Sequence, residues 1–236
     1  MTLIEVLIAV SLVSLLSVAI LMAIRTGLNA MQKTNSRLMD NRKSVGAQRV
    51  LEQQFAGFMP VFADCVPAPG APPTRIPFFQ GEPQSMRFVS SYSLEEANRG
   101  FPQILEFQVI PGANGEGVRL VVNEHLYTGP RGAGMFCLGR AMDPVARGMV
   151  PRFPPILPGP RSFVLADRLA ACRFVFRRVM PPPIMEQWEP RWVRQEWPSA
   201  IRVEMIPLQR ESSRIPQMSL TVPLRAQKDP EFQYAN

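Results

Sequence analysis

Met1-Thr-Leu-Ile-Glu5-Val-Leu-Ile-Ala-Val10-Ser-Leu-Val-Ser-Leu-Leu-Ser-Val-Ala-Ile20-Leu-Met-Ala-Ile24 carries a single charged side chain, Glu5, before the first basic residue at Arg25. At a rise of about 1.5 Å per residue, Val6 to Ile24 make a helix of roughly 28 Å, close to the thickness of a hydrocarbon core. No proline or glycine interrupts the stretch. It therefore has the length and composition to cross a bilayer as one helix, and the rest of the chain reads as a domain carried on it. A carboxylate at the centre of such a helix costs roughly 2.5–3.5 kcal/mol on insertion scales. Glu5 lies one turn from the amino terminus, where two readings fit. It is an interfacial glutamate stabilised by the helix dipole, or its partner is the α-amino group of a neighbouring copy or relative, so that it is buried only inside an assembly.

Beyond Arg25 the apolar residues thin to a helical spacing. Leu28, Met31, Leu38 and Val45, then Leu51, Phe55 and Phe58, recur at steps of three, four or seven, with Arg37, Arg42, Lys43 and Arg49 between them. The pattern predicts one helix from Met1 to about Met59, stopping before Pro60. Residues 1–24 form its half in lipid or a filament core, and 25–59 an amphipathic half packed on a globular domain. An anchor followed by an independent coiled coil is the competing arrangement, and the drift of the spacing after Val45 argues against it.

Residues 60–77 read as a Pro-rich loop, because proline has no amide to give a ladder. From 78 to 224 the period changes to two. Ser85–Ser91, Leu105–Val109 and Val118–Val122 alternate apolar and polar side chains, the last two joined as a hairpin by a glycine-rich turn. Cys172–Arg177, Ala200–Ile206 and Met218–Leu224 form a second sheet-forming set, each with one apolar and one polar face, as antiparallel strands with one buried face have. The fold class is α+β, a long helix packed on antiparallel sheets. Within the β domain, 139–160 is a Pro-rich insert that is ordered only by docking on something, and 225–236 reads as a polar tail.

With 236 residues, the chain leaves enough beyond the anchor for one moderate domain with its own core. Lys and Arg outnumber Asp and Glu by 26 to 19, but the arginines are scattered through strand-like segments. Nucleic-acid binding needs them gathered on one face with aromatic residues between. Cys65, Cys137 and Cys172 are too far apart for a metal knuckle, and His125 is the one histidine. Cys172 alternates with Phe174 and Phe176 as a buried small hydrophobe does, which leaves Cys65 and Cys137 as the candidate disulfide. Trp188, Trp192 and Trp197 either cap the core or form a partner surface. Gly129-Pro-Arg-Gly-Ala-Gly134 has glycines without the strand-turn-helix setting of a phosphate loop and reads as a turn. No protease helix, nucleophile elbow, paired carboxylates or relay for His125 is present in the sequence, so no catalytic residue, metal or cofactor is expected.

Thr2-Leu3-Ile4-Glu5-Val6-Leu7-Ile8-Ala9 closely resembles the mature N-terminus of type IV pilin-like proteins, with the family's acidic fifth residue at Glu5. Further along, Gln48-Arg-Val-Leu-Glu-Gln53, Phe79-Gln-Gly-Glu-Pro-Gln-Ser-Met-Arg-Phe-Val89 and Trp197-Pro-Ser-Ala-Ile-Arg-Val203 are similar to the J-type minor pseudopilins of type II secretion systems. The resemblance implies a leader cut by a prepilin peptidase and methylation of the new first residue. Met1 is expected to be that residue, in place of the family's usual phenylalanine. It further implies two sheets stacked near a long helix, and a single-pass protein of the bacterial inner membrane with its C-terminal domain in the periplasm. The implied role is that of a non-enzymatic subunit at the tip of a pseudopilus, whose partners are the bilayer, an assembly platform and other minor and major pseudopilins. A minor pilin of a type IV pilus or competence filament shares the anchor and fold. A membrane-anchored periplasmic enzyme is the poorer alternative.

Overall fold

The computed structural model describes residues 2–67, 70–144, 148–208 and 218–225, and within the helix the side chains of 36–44 lie outside that description. Met1 lies outside it too, as do 226–236, so that of the sequence's polar tail only Arg225 is described. The chain divides into two units, Met1–Lys43 and Ser44–Asn236. Helix α1 spans Leu3–Ala56. Within it, Leu3–Asn35 is long and apolar enough to cross a membrane, and its side chains are exposed. Its serines are satisfied by the helix itself: Ser11, Ser14 and Ser17 donate to the carbonyls of Ile8, Ser11 and Val13 at 2.8–2.9 Å. That local bonding lets hydroxyls sit in an apolar span without an outside partner.

In the second unit the buried stripe of α1 begins at Ala47 and continues through Leu51 and Phe55, one turn apart each time. Leu28, Met31 and Val45, which the sequence pattern assigned to a packed face, are exposed, and the side chain of Leu38 lies outside the described residues. Phe55 lies 5.8 Å from both Phe88 and Phe107, ring to ring. The helix ends at Ala56, three residues before the expected stop at Met59. A Cβ at Gly57 would lie 2.6 Å from Ser90 Oγ, and the chain turns there. Strand β1 (Phe58–Met59) then pairs with Ser90 and Val89, a ladder that outweighs another helical turn.

Next come β2 (Phe62–Cys65) and β3 (Thr74–Pro77), a two-stranded antiparallel sheet inside the stretch expected to be loop. The physical reason is placement. Pro67, Pro72 and Pro73 fall in the connection, and Pro77 closes the ladder at its last position, where its missing amide costs least. Strands β4 (Gln80–Gly81), β5 (Ser85–Tyr92), β6 (Arg99–Pro111) and β7 (Val118–Leu126) follow. The β6–β7 turn closes with Gly112 N–H donating to the Gly117 carbonyl at 3.0 Å, and Gly115 and Gly117 hold positive φ there. Gly129–Gly134, read as a turn, contains a single-turn helix, α2 (Pro130–Gly134). Its last residue packs so close to β2 that a Cβ would collide with the Asp64 carbonyl.

The remaining elements are β8 (Arg140–Asp143), β9 (Gly148–Pro151), β10 (Phe163–Val179), β11 (Glu186–Glu189), β12 (Ala200–Pro207) and β13 (Met218–Pro223). The insert 139–160 thus contains a β8–β9 hairpin, and the segment after it docks on this chain's own sheet through buried Ile156 and half-buried Phe153. The two strand sets lie in one nine-stranded sheet, ordered β1-β5-β6-β7-β10-β12-β13 with β4 on β5 and β11 on β10, and not in two separate sheets. Strand β10 makes the join. Its first half pairs with β7, its second half with β12, and register shifts between Val164 and Ala171 bend it.

Strands β5 and β6 are buried on both faces, where the alternation suggested one. On one face Met86, Phe88, Leu105, Phe107 and Val109 join Leu51, Phe55, Phe174 and Phe176 in the main core. On the other, Val89 and Ile104 join Ala63, Cys65, Ile76, Phe78 and Ala133 in a smaller core roofed by the β2–β3 hairpin and α2.

Candidate functional site

In the helix, Thr2-Leu3-Ile4-Glu5 has the spacing of a capping box. The Thr2 N–H donates to Glu5 Oε2 at 3.3 Å, and the Glu5 N–H donates to the Thr2 carbonyl at 3.0 Å. The first amides of a helix lack intrahelical acceptors, and the carboxylate answers one of them at the positive end of the dipole. Glu5 is exposed, and its Oε1 makes no hydrogen bond among the described residues. The local role of the carboxylate is therefore that of a helix cap. Met1, the other expected assembly residue, lies outside the described residues.

In the β domain the most organised polar group is one the sequence reading did not single out. The β5–β6 register sets Arg87 opposite Glu106. Arg87 is fully buried, and its Nε and Nη2 donate to Glu106 Oε1 at 2.7 and 2.6 Å. Its Nη1 donates to Gln80 Oε1 at 2.5 Å and its Nη2 to the Pro154 carbonyl at 3.2 Å. The guanidinium lies 5.4 and 5.5 Å from the ring centroids of Phe136 and Phe153. Glu106 Oε2 accepts from Asn123 Nδ2 at 3.2 Å and lies 3.1 Å from His125 Nε2. Asn123 also donates to the Leu157 carbonyl at 3.1 Å and accepts from the Ser162 hydroxyl at 2.5 Å.

Burial alone would push the Glu106 carboxyl up, yet the Arg87 charge, with hydrogen bonds from Arg87, Asn123 and His125, holds it below the usual carboxylate range. The arrangement is a clamp. It fastens Pro154, Leu157 and Ser162 to the middle of the sheet, and the acceptors of Glu106 are engaged by neighbours within the chain. His125, half exposed at the end of β7, serves as one of those neighbours. The signal in the sequence was a pair of opposite charges, each between large apolar residues: Met86-Arg87-Phe88 and Leu105-Glu106-Phe107. Polar positions in an alternating strand read as solvent-facing unless the other face is also covered.

Cys65 and Cys137 are joined by a disulfide with their Cα atoms 5.5 Å apart, tying β2 to the segment after α2. Cys172 is free and buried in the main core, and burial pushes its thiol up to about 12. Trp192 and Trp197 are buried as well. Trp192 Nε1 donates to the Glu196 carbonyl at 2.6 Å, and Trp197 packs edge-on to Phe62 at 5.2 Å. These two belong to the core and not to a partner surface. Trp188 alone is part-exposed, with the Arg202 guanidinium 3.8 Å above its ring. Among the described residues no group of three His, Cys, Asp or Glu side chains is placed to hold a metal ion. In comparisons with known proteins, no family model matches this chain and no curated protein matches its sequence.

Proposed function

We propose that this chain is a non-enzymatic filament subunit of the pilin-like kind, a minor pseudopilin at the tip of a type II secretion pseudopilus. In this reading it is anchored in the bacterial inner membrane with its β domain in the periplasm. It assembles there with other minor and major pseudopilins after processing by a prepilin peptidase. The observation that carries the reading is Glu5, the one charge in the first 24 residues, in the first turn of a helix able to cross a membrane and followed by a β domain. When helices pack side by side in a filament, that carboxylate enters a low-dielectric environment and needs a cation. The α-amino group of an adjacent subunit has the right sign and depth, whereas Arg25 lies roughly 30 Å away along the same helix.

Glu5→Gln keeps the shape and removes the charge. The protein then still inserts in the membrane but crosslinks poorly to partner subunits, and Glu5→Leu behaves alike because added apolarity supplies no charge. Wild-type crosslinking and wild-type secretion with Glu5→Leu would show an ordinary interfacial residue and overturn the reading. A minor pilin of a type IV pilus or competence filament rests on the same residues. Loss of piliation or DNA uptake, with secretion intact, in cells lacking the protein selects that reading. Hydrolase activity abolished by changing His125 would favour an enzyme.

A further inference from the structure

The nine-stranded sheet ends on one side in β1, of two residues, and on the other in β13, of six. Strand β13 pairs with β12 in an unbroken register from Ala200↔Pro223 to Met205↔Met218. The Leu224 N–H donates to the Ser199 carbonyl at 2.9 Å, one position beyond that register, and this bond fixes the phase of the ladder. Bonded and non-bonded pairs alternate in an antiparallel ladder, so Val222, Leu220 and Met218 turn their main-chain groups to β12. The N–H and C=O groups of Ser219 and Thr221 point the other way, and no described residue pairs with them. Sheet edges are ordinarily blunted by charge, by a bulge or by proline. Here Met218-Ser-Leu-Thr-Val-Pro223 has no charged side chain and no register shift, and its one proline stands at the end. Leu220 is buried and Met218 and Val222 half-buried on the core face, while Ser219 and Thr221 are exposed on the other.

We propose that β13 pairs with β13 of a second copy of this chain, antiparallel and two-fold symmetric about Leu220. The strand itself selects this occupant, because its pattern reads the same in both directions from Leu220, with hydroxyl residues one step away and apolar residues two steps away. In that register Ser219 bonds to the partner's Thr221 and Thr221 to the partner's Ser219, which uses every outward N–H and C=O of the two residues. Leu220 faces its own counterpart and Met218 faces the partner's Val222, so the apolar face continues from one copy to the next while the hydroxyls meet on the opposite face. No charge meets a like charge across the pair. A slip of one residue would set apolar side chains against hydroxyls and is disfavoured. Pairing of this isologous kind closes at two copies. The inference concerns the β domain alone and stands apart from the filament reading.

The test uses the full chain in detergent micelles. A mixture of Ser219→Cys and Thr221→Cys proteins is expected to form a disulfide-linked dimer under mild oxidation, because the two positions face each other with Cα atoms about 5.5 Å apart, inside the range a disulfide spans. Either variant alone is expected to stay uncrosslinked, since like positions lie on the diagonal, about 7–8 Å apart. Thr221→Pro leaves the β12 ladder intact, because that amide points away from it, and it removes one hydrogen bond from each half of the interface. It is expected to weaken dimerisation at least about tenfold, measured by sedimentation with the detergent density-matched, and a thermal melt checks its fold. The Ser219 and Thr221 amides are expected to exchange slowly with deuterium in the dimer and fast on dilution to the monomer. A monomer at the highest soluble concentration, crosslinking of either variant alone as strong as that of the mixture, or a dimer indifferent to Thr221→Pro would overturn the proposal. So would slow exchange of both amides in a monomer, which would mean that another segment of this chain fills the edge.

Discussion

Arg87→Met tests whether the two-sided burial of β5 depends on the ion pair at its centre. The substitution roughly preserves length and apolar contact with Phe136 and Phe153, but it leaves the Glu106 carboxylate enclosed with only Asn123 and His125. Removing one partner of a buried pair costs about 3–5 kcal/mol, because the remaining charge keeps its desolvation penalty without its main compensation. For a folded unit of 150–250 residues each kcal/mol moves the melting midpoint by about 2–4 °C, so a fall of roughly 6–20 °C is expected. The assay is a thermal melt of the full chain in micelles, followed by far- and near-ultraviolet circular dichroism. Arg87→Met/Glu106→Leu removes both charges and should regain most of the loss, since apolar replacement of a whole buried pair is often near neutral. A single variant melting within about 2 °C of wild type would refute the reasoning. So would a double variant less stable than either single one.

The same carboxylate sets an acid limit. Its folded-state pKa lies below the ordinary value of 4.5, so its contribution is fully present above pH 4.5 and is lost as pH falls through the lower folded value. Denaturant midpoints should therefore drop on acidification below about pH 4.5, and Glu106→Gln should flatten that part of the profile. Cys65→Ser/Cys137→Ser opens a loop closed across 72 residues of sequence, which on chain-entropy grounds costs about 4 kcal/mol. A melting point unchanged by reduction would count against it. Cys172, with its thiol pushed up to about 12 in the core, should resist maleimide at neutral pH in the native protein and react once guanidinium unfolds it.

The fold was legible where local pattern and tertiary burial agree. The apolar run to Ile24, broken only by Glu5, and the alternation in β6, β7, β12 and β13 each carry one period, and the elements follow. The misreadings have a shared cause, which is that long-range covering is not encoded in local period. Phe58 and Met59 fit the helical spacing, but a free ladder position beside Ser90 claims them. Prolines between Cys65 and Thr74 mark a connection, and a window averaged over 60–77 hides the short strands on either side. Arg87 and Glu106 look solvent-facing in isolation and are buried because α2, the β2–β3 hairpin and the Pro-rich insert roof that face. The first half of β10, Phe163–Ala171, carries register shifts that blur its alternation, so the join between the two strand sets was not visible. Of the candidate site residues, Glu5 stood out because a charge in an apolar run needs no structure to be noticed.

The position of β10 also has a kinetic meaning. A chain made from its N-terminus presents β5, β6 and β7 first, and these pair with neighbours close in sequence, so that part of the sheet can form early. The outer edge of β7 then waits, hydrogen-bonding groups unpaired, until Phe163 arrives on the far side of the Pro-rich insert. During that interval the half-built sheet is a template for any other extended chain. Closure of β10 on β7 thus covers that edge, and the second half of β10 then offers the next edge to β12.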